Sequence, residues 1–106
     1  MKGKLYLLTR DDLRRSSASA QLVHGMASFA MEHRDVFESW NGGSNIVVCL
    51  SVKDAKTLKD VLDVAKAEGI PCSYFEEPDM DEEITCVVLG PSTVSQKLCS
   101  RFRLSR

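Results

Sequence analysis

The stretch "NIVVCLSVKDAKTLKDVLDVAKAEGIP", Asn45 to Pro71, decides the fold class. Its first eight residues form a near-continuous apolar run rich in β-branched side chains, the pattern of a strand covered on both faces. Leu58, Val61, Leu62 and Ala65 then recur at helical spacing, with Asp54 placed as N-cap and Gly69 and Pro71 as the stop. A buried strand followed by an amphipathic helix is the unit of an α/β domain.

Outward from this unit the alternation continues. "KLYLLT" (4–9) predicts a short apolar strand, ended by the polar cluster "RDDLRRSS". Residues 17–33 turn helical, with Leu22, Met26 and Phe29 on one face, and "RDVFESW" predicts a second short helix that "NGG" breaks. "CSYFE" (72–76) and "ITCVVLG" (84–90) predict two further strands, which a hairpin or a wider separation would both accommodate. A last helix is predicted from Ser92 or Thr93 to about Arg101, with Phe102 and Leu104 packing inward and Arg101, Arg103 and Arg106 forming a solvated helix end. The expectation is one α/β domain over residues 1–106: β-α-(α)-β-α-β-β-α, a mixed four-stranded sheet with helices on both faces, some strands parallel across the helical crossovers.

Composition sets the outer limits. A chain of 106 residues with 43% hydrophobic and 27% charged residues supports one modest core and is not of disordered type. No apolar run reaches a membrane span, and "MKGKLYLLTRDD" is charged too early for a signal peptide. Cys49, Cys72, Cys86 and Cys99 stand apart without a CxxC or a nearby histidine, the usage of a reduced, cytoplasmic protein without a zinc site. Asp79, Asp81 and Glu83 alternate but lack the glycine of a calcium loop, so no metal is expected. The net charge of −1 gives no global attraction for nucleic acid, yet the charges are segregated. Arg10, Arg14 and Arg15 lie near the start, and "EEPDMDEE" (76–83) holds six acids.

The first helix carries the candidate chemistry. Ser17, Gln21, His24 and Ser28 fall within an arc of roughly 60°, and no charge interrupts the helix between Arg15 and Glu32. Such a polar stripe lines a cleft, or else satisfies backbone groups inside the fold.

"TRDDL", then "AQ", then His24 three residues beyond Gln21, resemble the type-two peptidyl-tRNA hydrolases, whose pattern is Arg-x-Asp-Leu followed by Lys-x-x-Ala-Gln-x-x-His. "FESWNGG", "AKAEGIP" and "ITCVVLGP" fit that family in order, so the resemblance spans roughly residues 4 to 104. "FEEPDMDEEITCVVL" and the ending "FRLSR" resemble most closely a divergent branch, the peptidyl-tRNA hydrolase domain-containing proteins.

The resemblance implies a small, usually dimeric α/β domain that needs no cofactor and hydrolyses the ester joining a peptide to tRNA. It implies Gln21, His24, Glu77 (with Glu76 adjacent) and Thr85 as the catalytic set. The chemistry needs an activated water and support for an oxyanion, and cations for the RNA phosphates, here Arg10, Arg14 and Arg15. Ser17 stands where the family keeps a lysine. That replacement, with the acidic segment, is the mark of the alternative: a catalytically impaired homologue that binds RNA or protein.

Overall fold

The computed structural model describes residues 3–105, so the expectation for Arg106 lies outside the described residues. The chain runs β1 (Leu5–Arg10), α1 (Arg15–Glu32), α2 (Arg34–Gly42), β2 (Val47–Val52), α3 (Ala55–Ala67), β3 (Cys72–Glu77), β4 (Glu83–Leu89), α4 (Thr93–Cys99) and β5 (Arg103–Leu104), with a 3-10 turn, Pro78–Met80, between β3 and β4. The strand order is β3-β4-β1-β2-β5. β1 and β2 are parallel, as the α1–α2 crossover requires, and the other pairings are antiparallel. β3 and β4 form a hairpin, which closes the choice left open above.

The alternation of a strand builds two cores. Tyr6, Leu8, Val87 and Leu89 face α3 and α4, joined by Leu58, Val61, Leu62 and Ala65. Leu5, Leu7, Cys86 and Val88 face α1 and α2, joined by Phe29 and Trp40. Helices therefore cover both faces of the sheet, and β1 is buried along its whole length.

Local signals operate as expected around α3. The Asp54 carboxylate accepts from the Thr57 amide at 2.9 Å. Gly69, at φ +71°, closes the other end with amides of Gly69 and Ile70 donating to Lys66 and Ala65 carbonyls at 3.1 and 3.0 Å. Ser92 caps α4 through its hydroxyl, which accepts from the Val94 and Ser95 amides. Trp40 is buried and donates from its indole to the Ile46 carbonyl at 2.8 Å, fixing the turn that precedes β2.

The sheet has five strands, not four. The last helix stops at Cys99, and Arg103 and Leu104 pair with Ser51 and Leu50 on the free edge of β2. This overturns the inward placement of Leu104, which is 68% exposed, because both residues of this two-residue edge strand face solvent. Phe102 does pack against the core. β2 begins at Val47, two residues later than expected, and Val47 is itself exposed. No helix among the described residues is long and apolar enough to cross a membrane.

Candidate active site

The site begins with how closely α1 approaches the sheet. Gln21, Gly25 and Phe29 form its buried line, one turn apart. At Gly25 a Cβ would overlap the Cys86 Sγ and lie 3.1 Å from Cys86 Cβ and 3.2 Å from Val88 Cγ2. Glycine is therefore what lets the helix rest on β4. This changes the helical wheel read from sequence. Leu22 and Met26 are half-buried flanks, Ser17 and His24 are exposed, and Gln21 points at the sheet with 4% of its surface exposed.

The close approach brings three of the four candidate catalytic residues together. The Thr85 hydroxyl, fully buried, donates to Gln21 Oε1 at 2.7 Å. Gln21 Nε2 donates to Glu77 Oε1 at 3.2 Å. Because a carboxylate only accepts, Glu77 fixes which end of the amide faces it and leaves the oxygen for Thr85. The Thr85 hydroxyl has one proton, and the Phe75 carbonyl at 3.4 Å is its poorer alternative. Thr9, buried on β1, holds the same segment from the other side by donating to the Thr85 carbonyl at 2.9 Å. The result is a directed chain, Thr85 to Gln21 to Glu77, running from the core to a half-exposed carboxylate.

His24 stands outside that chain. Its ring stacks on Phe75, centroids 4.5 Å apart and planes 15° from parallel, and the residue is exposed. A flat aromatic pair beside a carboxylate offers a nucleobase or ribose a surface as well as a ring nitrogen. Phe75, Thr9 and Glu83 were absent from the sequence-derived set. Each acts on a residue far away in the chain, and no local pattern marks them.

The three arginines separate. Arg10 is 7% exposed, and its guanidinium grips Asp12 through Nε and Nη2, both at 2.8 Å, and Glu83 through Nη1 at 3.0 Å. It also donates to the Ile84 carbonyl at 3.3 Å. Its donors tie the loop after β1 to the start of β4 and do not point outward to an RNA phosphate. The fork holds the Asp12 carboxyl below its usual range, chiefly through its hydrogen bonds and then through its charge. Arg14 and Arg15, at the start of α1, are exposed. Arg15 and Ala18 border a hollow of about 250 Å³ with Thr9, Ser51, Arg103 and Asp11, adjoining the Thr85 segment through Thr9. Glu76 is exposed on β3 and makes no contact with Gln21 comparable to that of Glu77.

Among the described residues no group of three His, Cys, Asp or Glu side chains is placed to hold a metal ion. The arrangement offers one carboxylate oriented by an amide, an imidazole within the same neighbourhood and basic groups to one side. This is equipment for proton transfer and anion contact.

Two comparisons bear on the family and the fold. The family model described as "Peptidyl-tRNA hydrolase PTH2" matches residues 3–104. A solved structure described as a protein of unknown function from Agrobacterium tumefaciens strain C58 superimposes with a TM-score of 0.74. The alignment covers 100% of this chain and 99% of that one at 10% identity, a likeness of fold.

Proposed function

The chain belongs to the PTH2 family of peptidyl-tRNA hydrolases, and from that membership we propose that it hydrolyses the ester between a peptide and the terminal ribose of tRNA. The observation that carries the reading is the Thr85–Gln21–Glu77 chain, 2.7 and 3.2 Å in its two links. Glu77 takes a proton from water as the water oxygen bonds to the ester carbonyl carbon. The carbonyl electrons move onto oxygen, and the tetrahedral oxyanion forms. On collapse the carbon–ribose oxygen bond breaks, and the proton returns from Glu77 to the leaving ribose oxygen. Free peptide and tRNA result.

Gln21 orients the Glu77 carboxylate, and Thr85 orients Gln21; Thr85, being fully buried, is a positioning residue. His24, held flat on Phe75, supports the terminal ribose or the oxyanion. Arg14 and Arg15 serve the phosphates, while Arg10 braces the loop beneath them. Ser17 brings no charge to the family's lysine position, so the oxyanion lacks one cationic partner, a loss on the order of 100-fold in rate. Four unpaired cysteines accord with a reduced, cytoplasmic setting. An exposed apolar stripe on α1, including Val23 and Met31, accords with the homodimer the resemblance implies.

A second reading, a non-catalytic module that binds RNA or protein, is favoured by Ser17 and by the burial of Gln21 and Thr85. The test is release of peptide from a defined peptidyl-tRNA by the wild type and by Gln21→Ala. Turnover that falls with Gln21→Ala supports the hydrolase. Absence of turnover with retained tRNA binding establishes the module, and turnover indifferent to Gln21→Ala refutes the site.

A further inference from the structure

The sheet order separates charge across the molecule. At one edge, residues 76–83, from the end of β3 to the start of β4, hold six acids and no Lys or Arg, with Glu83 paired to Arg10. At the other edge lies β5, and two hollows meet there, sharing Ser51 and Arg103 in their walls. The smaller is the one bordered by Arg15; the other, about 550 Å³, is bordered by Lys53, Arg101, Asp60 and Phe102. With Arg10 set aside as internally paired, four cations face two carboxylates along this edge.

These cations are available. Lys53, Arg15 and Arg101 are exposed. Arg101 is braced over the Phe102 ring at 4.8 Å. Arg103 holds Asp11 at 3.0 Å, but its side chain is 65% exposed and that of Asp11 is 37% exposed. A pair so wet contributes little, and a phosphate competes with it readily.

We propose that the β5 edge, through Lys53, Arg101 and Arg103, carries the phosphate backbone of the RNA as it enters the site. The substrate's 3′ end then reaches Glu77 from the β1–β2 side, without crossing Asp79, Asp81 and Glu82. The distance suits this path. Glu77 lies on β3, four strand spacings from β5, about 19 Å, which sets the phosphates of nucleotides preceding the ester over the basic edge. The inference rests on the RNA-substrate reading above and adds the direction from which the RNA comes.

The test is fluorescence anisotropy of labelled, deacylated tRNA titrated with protein at several salt concentrations. The edge variant is Lys53→Gln/Arg101→Gln/Arg103→Gln. A control of equal charge loss, Lys4→Gln/Arg34→Gln/Lys66→Gln, removes exposed cations from the residue before β1, from α2 and from α3. Circular dichroism confirms that both variants fold. The edge variant is expected to bind at least about tenfold more weakly, with the slope of log affinity against log salt reduced by about 2, while the control stays within about threefold of wild type. An edge variant that binds like wild type, or a control that loses as much, overturns the proposed path and leaves the hydrolase reading standing. A wild type that does not bind tRNA overturns both.

Discussion

Replacing Gly25 with alanine separates helix propensity from packing, because the two predict opposite signs. Gly25 lies inside an 18-residue helix, where alanine is favoured by about 1 kcal/mol. On helix grounds Gly25→Ala is stabilising. Packing reverses this: the added methyl overlaps the Sγ of Cys86, a fully buried residue of β4. Overfilling of that kind costs about 1–3 kcal/mol. The relief available is to lift α1 from the sheet, which also draws Gln21 Oε1 from the Thr85 hydroxyl and adds about 1–3 kcal/mol for a buried group left without its partner. The expected net effect is a loss of about 2 kcal/mol, or about 10 °C in Tm for a domain of this length. Urea titration followed by circular dichroism measures it. Cys86→Ala removes the overlapping atom and leaves contacts of 3.1 and 3.2 Å, so Gly25→Ala/Cys86→Ala is expected to be as stable as Cys86→Ala alone or up to about 1 kcal/mol more so, a strong departure from additivity. A Gly25→Ala protein as stable as wild type, or penalties that simply add, refutes the claim that this glycine sets the height of α1 above β4.

Thr85→Val keeps the shape of a fully buried side chain but strands Gln21 Oε1, so about 2 kcal/mol of stability is expected to go. A cycle with Gln21→Leu is expected to show at least about 1 kcal/mol of coupling by denaturant titration. Asp12 titrates below its usual value of 3.8 in the folded protein. Its contribution is therefore complete above that pH and is lost as pH falls through the lower, folded value. Asp12→Asn is expected to flatten the acid limb of stability against pH by under about 1 kcal/mol, since the carboxylate is 45% exposed. Burial pushes the Cys86 and Cys99 thiols up to about 12. A thiol-specific reagent at pH 8 is expected to leave both unmodified in the native protein while reaching the half-buried Cys49 and Cys72 first. Equal labelling of all four before unfolding would contradict the described core.

The parts legible in the sequence are those written in local chemistry. The α3 unit announced itself through Asp54, four spaced apolar residues and Gly69, and each acts within a few residues of itself. The strands β1 and β4 were legible because both faces of each are buried and their sequences are correspondingly apolar. β5 was not, since two residues carry no period and become a strand only where β2 leaves an edge open. The wheel of α1 misled for a related reason. Its buried line contains a glutamine and a glycine, neither of which reads as apolar, and their reasons for burial are Thr85 and Cys86 on a strand some sixty residues away. Arg10 was expected to contact RNA phosphates with Arg14 and Arg15, and its pairing with Glu83, distant in the chain, carries no sequence signal. Glu77 and Thr85 were identified through the family resemblance and Gln21 also through the polar stripe of its helix, and their convergence is a property of the fold.

The proposed hydrolysis is tested by the single-turnover rate of peptide release from a defined peptidyl-tRNA by wild type and by Glu77→Gln, with tRNA affinity measured in parallel. The amide keeps the size of the carboxylate and an oxygen to meet Gln21 Nε2, but it cannot take a proton from water. Wild type is expected to release peptide measurably, Glu77→Gln to be slower on the order of 100-fold or more, and tRNA affinity to be unchanged. Equal rates for the two proteins, or no release by wild type, would contradict the proposed hydrolysis.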